Sequence, residues 1–223
     1  MDLILAMDLK EGSVVHGSRG ERATYRPLTW GLSPVAEPVA YTKTIGPRFL
    51  YIADIDRISG IGVHDEIIRS CATLVGRCYV DRGCTGPDDY LAGDGIVNIV
   101  GTETGGPDLS LYAGGFLSLD LRGGVVIPSG KNPETMLREA NRLPFEGCII
   151  LDIGAVGTEC GISREKMEQF RSAYEKTLFL GGGVRGQDDL YTLKDTGFDG
   201  AIVATALHRG TIPLSWIREG RLC

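Results

Sequence analysis

The chain lacks any apolar run near the roughly 18 residues that a bilayer-spanning helix requires. It also lacks a Cys-x-x-Cys pair, a surplus of positive charge and a Gly-x-Gly-x-x-Gly after its first apolar run. These gaps remove several function classes. A net charge of −6 argues against nucleic acid as a partner, because neutralising phosphates needs excess Lys and Arg. The cysteines stand at 71, 78, 84, 148, 160 and 223, and the only histidines, 16, 64 and 208, are scattered, so no metal site is expected. Without the glycine fingerprint, an open dinucleotide-binding sheet loses its main signal. The opening, MDLILAMDLK, has an acid at position 2 and is too short for a secretory leader. Export and membrane association are therefore not expected; the cytoplasm is the default, with reduced thiols.

What is present is a regular alternation of short apolar runs and longer amphipathic ones. Runs at 3–8, 48–54, 77–81, 95–101, 116–120, 147–153, 177–182 and 200–205 read as eight strands, several apolar throughout, as strands covered on both faces are. Helical patterns fall at 63–75, 132–143, 163–176 and 186–197, with Ser163 as an N-cap. The segment PDLSLYAGG after strand four leaves barely two turns. This pattern predicts an α/β fold, a (β/α)8 TIM barrel occupying 1–223 as a single domain.

The sequence also repeats itself. AMDLKEGSVV at 6–15 answers SLDLRGGVVI at 118–127, half a chain length away. YIADIDRISGIG answers IILDIGAVGTECG, YVDRGCTGPDDY answers FLGGGVRGQDDL, and DGIVNIVGT answers DGAIVATA. Four matches in order predict half-barrel repeats of about 1–114 and 115–223.

In such a doubled barrel, Asp8 and Asp120 end opposed strands at the C-terminal rim, where barrels place their chemistry. One carboxylate can serve as base while its surroundings keep the other protonated as acid. The alternative is that each caps its turn or pairs with Lys10 or Arg122. Glycine-rich turns offer backbone N–H groups to anions. Gly182, Gly183, Ala204 and Thr205 form one candidate phosphate cradle; Gly83, Cys84, Gly101 and Thr102 form its first-half counterpart, for which tight turn geometry is the alternative. The segment 10–30 is longer than a connection needs and reads as a lid carrying Arg19, Arg22 and Arg26, or as a solvated hairpin.

AMDLKEGSVVHG, YIADIDRISG, SLDLRGG, LGGGVR and GFDGAIVATALHRGTI resemble the HisA/HisF family of histidine biosynthesis, half-repeated barrels with a phosphate site in each half. The resemblance is nearer to the isomerase branch. It implies an Amadori-type aldose–ketose rearrangement of a phosphorylated aminosugar ribonucleotide, with Asp8 as base and Asp120 as acid; Asp152 and Thr158, and Arg19 and Arg22 from the lid reading, are the further candidate substrate contacts. It implies no cofactor and a phosphorylated small molecule as the partner; it leaves the oligomeric state open. The chain departs from the family where a threonine usually ends strand six (here Leu151), where an acid usually precedes Gly157-Thr158 (here Val156), and in the first-half turn, where Asp81 would repel phosphate unless Arg82 neutralised it. A related enzyme with another phosphorylated substrate, for instance in C1-carrier cofactor metabolism, and a non-catalytic phosphate-binding barrel remain the alternatives.

Overall fold

The computed structural model describes residues 1–222; Cys223 lies outside them. Eight parallel strands carry the fold: β1 (Asp2–Lys10), β2 (Phe49–Asp54), β3 (Arg77–Asp81), β4 (Ile96–Gly101), β5 (Phe116–Arg122), β6 (Gly147–Asp152), β7 (Thr177–Gly181) and β8 (Gly200–Val203). Each pairs with the next, and β8 pairs with β1 through Asp2 opposite Gly200 to Leu5 opposite Val203, which closes the barrel. All eight expected strands are present.

Closure dictates why apolar residues occupy both faces of each strand. Leu3, Leu5, Met7 and Leu9 of β1 point outward into the layer between strands and helices. Ile4 joins Tyr51, Tyr79, Ile99, Phe116, Ile149, Phe179 and Ile202 inside the barrel. There Phe116 and Phe179 stack with centroids 4.9 Å apart, and Tyr79 meets both edge-on. This aromatic plug fills the floor. Side chains alternate along a strand, so the residues above that floor on the inward face are Ala6 and Asp8 on β1 and Ser118 and Asp120 on β5. Alternation, not proximity in sequence, lifts both acids into the mouth.

The expected helices appear as Asp65–Ala72, Pro133–Ala140, Arg164–Ala173 and Gln187–Asp195. Ser163 caps the third of these, accepting from the Lys166 N–H at 3.4 Å. After β3 and β4 no full helix forms; single 3-10 turns, Pro87–Asp89 and Leu109–Leu111, take its place. Gly86-Pro87 and Gly106-Pro107 interrupt both segments, and the few residues that remain before the next strand include the helix-weakening Gly93 and Gly95 in one and Gly114 and Gly115 in the other.

The long first connection is built onto the barrel. Ser13–His16 pairs antiparallel with β1, and Arg26–Pro27 pairs with Ser13–His16, before the helix Pro38–Ile45. Between the two short strands the chain crosses the mouth. Gly17 sits directly over the Asp8 carboxylate, and the Arg19 N–H donates to the Val156 carbonyl at 3.0 Å. Among the described residues, no helix is long and apolar enough to cross a membrane.

Candidate active site

One cavity opens at the C-terminal ends of the strands. Asp8, Asp81, Asp120 and Glu103 line it, with Arg22, Tyr25, Tyr51, Leu151 and His208, and the loops containing Gly182–Val184 and Ala204–Thr205. Asp8 and Asp120 therefore share a single space. Their strand registers correspond: Asp8 lies opposite Ala53, just before Asp54, and Asp120 opposite Leu151, just before Asp152.

The two acids are held differently. Asp120 is 2% exposed; its Oδ1 accepts from the Ser118 hydroxyl at 2.7 Å and its Oδ2 from the Glu103 N–H at 2.9 Å. Its own N–H donates to the Thr102 hydroxyl at 3.0 Å. No protein donor bonds the half-buried Asp8 carboxylate among the described residues, so its lone pairs are free for a ligand. Burial pushes Asp8 up to about 7, opposed by the nearby Arg22 guanidinium and reinforced by Asp81. Lys10 and Arg122 do not pair with these acids: the Lys10 ammonium reaches the Arg22 carbonyl at 3.1 Å and Glu11 at 3.8 Å, and Arg122 lies beside Gly20.

A third acid, Asp81, ends β3 inside the same cavity. It and Asp120 converge over Gly101: a side chain built there would start 2.8 Å from Asp120 Oδ2 and 3.6 Å from Asp81 Oδ2. Glycine supplies the gap into which both carboxylates project. Burial raises the pKa of both, and their mutual repulsion disfavours simultaneous ionisation. Asp81 has inward parity at the end of an apolar run, as do Asp8 and Asp120, and that parity was the signal in the sequence for its role. Glu103, which binds Arg22 through both guanidinium nitrogens at 3.1 and 2.5 Å, carried no comparable signal.

The structure separates the two candidate phosphate cradles. In the second half, Gly182, Gly183, Ala204 and Thr205 all line the cavity. Their N–H groups, with that of Val184, meet no protein acceptor among the described residues. Gly182 and Gly183 have φ of +90° and +82°, and a side chain on Gly182 would begin 2.5 Å from the Asp152 carbonyl oxygen, so only glycine fits the turn.

The first-half cradle needs correction, since Gly83, Cys84, Gly101 and Thr102 are not among the lining residues. The Gly83 N–H donates to Asp81 Oδ1 at 3.0 Å. Cys84 is fully buried in the outer core. The Thr102 N–H goes to the Ser118 carbonyl, and those of Thr104 and Gly105 to the Gly101 carbonyl. The Gly83 and Thr102 donors are thus satisfied by the protein, and Cys84, whose N–H meets no protein acceptor among the described residues, does not line the cavity. Arg82 does not neutralise Asp81 either; its guanidinium turns outward to Asp65 at 2.5 Å and to the Asp89 carbonyl at 2.9 Å.

The remaining expected contacts divide similarly. Arg22 lines the cavity, whereas Arg19 is exposed, with φ +51°, and Arg26 bonds the Ala23 and Tyr25 carbonyls at the surface. Asp152 faces away and caps the 3-10 turn Ile153–Ala155 through the Ala155 N–H at 3.2 Å. The inward residue at the end of β6 is Leu151. The Thr158 hydroxyl is spent on the Ala155 carbonyl at 2.8 Å, although Gly157 and Glu159 on either side line the cavity. Sequence reasoning also passed over His208, whose Nε2 lies 2.8 Å from the Tyr41 hydroxyl and whose Nδ1 accepts from Leu32 N–H; burial lowers it to about 4, so it is neutral.

Comparison with known proteins meets this geometry directly. Residues 115–213, strands β5 to β8 with their loops, match the family model described as histidine biosynthesis protein. An uncharacterized protein of Methanocaldococcus jannaschii is 30% identical over 97% of both chains. The chain belongs to the HisA/HisF family. Other family members similar to it are named 1-(5-phosphoribosyl)-5-((5-phosphoribosylamino)methylideneamino) imidazole-4-carboxamide isomerase. The one from Thermus thermophilus is 29% identical over 97% of this chain and 99% of its own, and the one from Caldicellulosiruptor saccharolyticus 27% over 97% and 98%. The named activity of these two relatives is that of an isomerase.

Proposed function

We propose that this HisA/HisF family member is an isomerase of Amadori type, converting a phosphorylated aminoaldose to its aminoketose. The observation that carries the reading is the shared cavity: an unbonded Asp8 and an anchored Asp120 face one space, beside backbone N–H groups that no protein atom uses. The phosphate end of the substrate lies against Gly182, Gly183, Ala204 and Thr205, which fixes the sugar relative to the acids.

Asp120, protonated, gives its proton to the ring oxygen, and the C1–O bond breaks to leave an iminium at C1. Asp8, ionised, removes the proton from C2, and the electron pair moves through C1 to nitrogen, giving an enol-amine. Return of a proton to C1 and loss of the hydroxyl proton at C2 complete the aminoketose. Protons are moved and none is consumed, so the chemistry needs only two carboxylates whose pKa values lie near the working pH. Burial supplies that condition at both acids.

The test is turnover of phosphorylated aminoaldoses, including the compound in the isomerases' name, followed by absorbance or by NMR of solvent deuterium entering C1. Asp8→Asn and Asp120→Asn should each lower kcat by about 10²–10⁴. Full activity in both variants defeats the assignment.

A further inference from the structure

The isomerases similar to this chain are named for a compound with two phosphoribosyl groups. Here the two ends of the cavity are chemically unlike. At the second-half end the backbone donors are open. At the first-half end Gly83 is engaged by Asp81, Glu103 by Asp120, and Thr102, Thr104 and Gly105 by carbonyl oxygens, while Arg82 and Cys84, whose N–H groups meet no protein acceptor among the described residues, lie outside the cavity lining. What faces the cavity there is carboxylate.

The balance of charge sharpens this contrast. Asp8, Asp81, Asp120 and Glu103 line the cavity, against a single lining arginine, Arg22, which Glu103 already binds through both of its nitrogens; Glu159, in the second-half loop, is paired with Arg209. Arg82, the cation nearest in sequence, is held away by Asp65. Asp81 Oδ1 is occupied by Gly83, while Oδ2 projects over Gly101 with no protein donor among the described residues. A phosphate placed here would carry close to two negative charges against these acids, and the N–H groups of Gly83 and Glu103 that could meet it are held by Asp81 and Asp120. An ammonium group would find an acceptor and a favourable field.

We infer that the first-half end of the cavity is an amine subsite with Asp81 as its specificity-determining residue, so that the substrate is a phosphomonoester with an amine, not a second phosphate, at its far end. This rests on the reading of the cavity as the site for a phosphorylated aminosugar. It narrows that class to compounds with one phosphate.

Three probes on the same five-carbon chain separate the possibilities: 1-amino-1-deoxyribulose 5-phosphate, ribulose 5-phosphate and ribulose 1,5-bisphosphate, which differ only in the group on C1. Calorimetric binding to the wild-type protein should rank the amine tightest, at least tenfold above the bisphosphate and several-fold above the hydroxyl compound. Asp81→Asn should weaken the amine and strengthen the bisphosphate, each by about tenfold or more, without changing ribulose 5-phosphate by more than about twofold. Bisphosphate binding to wild type as tightly as the amine, or equal binding of hydroxyl and amine, overturns the inference, and neither outcome depends on Asp81→Asn folding. Because the readout is binding, it is distinct from the isomerase test. Loss of turnover selectivity with the binding order intact would defeat only the catalytic assignment, while a reversed binding order with activity intact would defeat only the amine subsite.

Discussion

Replacing Asp8 with asparagine should destroy activity and stabilise the fold, and the size of the gain follows from the site. Folding moves the Asp8 pKa from 3.8 to about 7, chiefly through burial. A raised carboxylate pKa means the native state binds the proton more tightly than the unfolded chain, so stability is greatest below the unfolded value and falls as pH rises through the folded one. Three units at about 1.4 kcal/mol each give a ceiling of ~4 kcal/mol. Asp8 remains partly open to the cavity mouth, and halving the figure for solvent screening leaves about 2 kcal/mol. Asparagine keeps the shape and removes the charge. At pH 8 the variant should therefore melt roughly 4–8 °C above wild type, using about 2–4 °C per kcal/mol for a chain of this size. The advantage should shrink by more than half on moving to pH 5, where native Asp8 is already protonated. Circular-dichroism melts at the two pH values check both numbers. A variant that gains nothing at pH 8, or gains equally at pH 5, refutes the account of Asp8 as a buried, raised carboxylate.

Four other outcomes are expected. Thr102→Val removes the hydroxyl that accepts from the Asp120 N–H, so it should lower kcat about tenfold, leave KM nearly unchanged and shift the pH–rate profile, since its effect passes through Asp120. Arg22→Gln removes the cation that holds Asp8 and Asp81 down, so the rising limb of kcat/KM against pH, set by ionisation of the base, should move to higher pH. Gly182→Ala forces a side chain against the Asp152 carbonyl at a φ of +90° and should weaken inorganic phosphate binding at least tenfold, with a stability loss of about 1–3 kcal/mol in a denaturant titration. Phe179→Ala opens the barrel floor between Phe116 and Tyr79 and should cost about 3–5 kcal/mol, read from the same titration.

The strands were legible because each is a short apolar run whose neighbours on both faces are covered; no tertiary knowledge is needed to see that FLSLD or TLFLG belongs inside an α/β protein. The pairing of Asp8 with Asp120 was legible for another reason. The same residues recur half a chain apart, and a closed ring of eight strands sets the first opposite the fifth. Where the reading stopped short, the cause was competition for hydrogen bonds. Glycine-rich turns after β3 and β4 resemble those after β7 and β8 in composition, but composition does not say whether a backbone N–H is already taken. Asp120 takes the Glu103 donor through a contact that exists only once β4 and β5 are in register, while Asp81 takes the Gly83 donor through a local turn, in a side-chain rotamer that composition does not reveal. Arg82 shows the same dependence, since its distance along the chain from Asp81 is minimal and its side chain points to the other face.

Sequence by itself determined the barrel, the number of its strands and the inward parity that lifts Asp8 and Asp120 above an aromatic floor, because apolar patterning and alternation are properties of the chain. Tertiary structure alone decided which end of the cavity offers donors and which offers carboxylates. Burial, the seating of Gly17 over Asp8 and the capture of the Glu103 N–H by Asp120 from the neighbouring strand arise between segments far apart in sequence, and no local pattern encodes them.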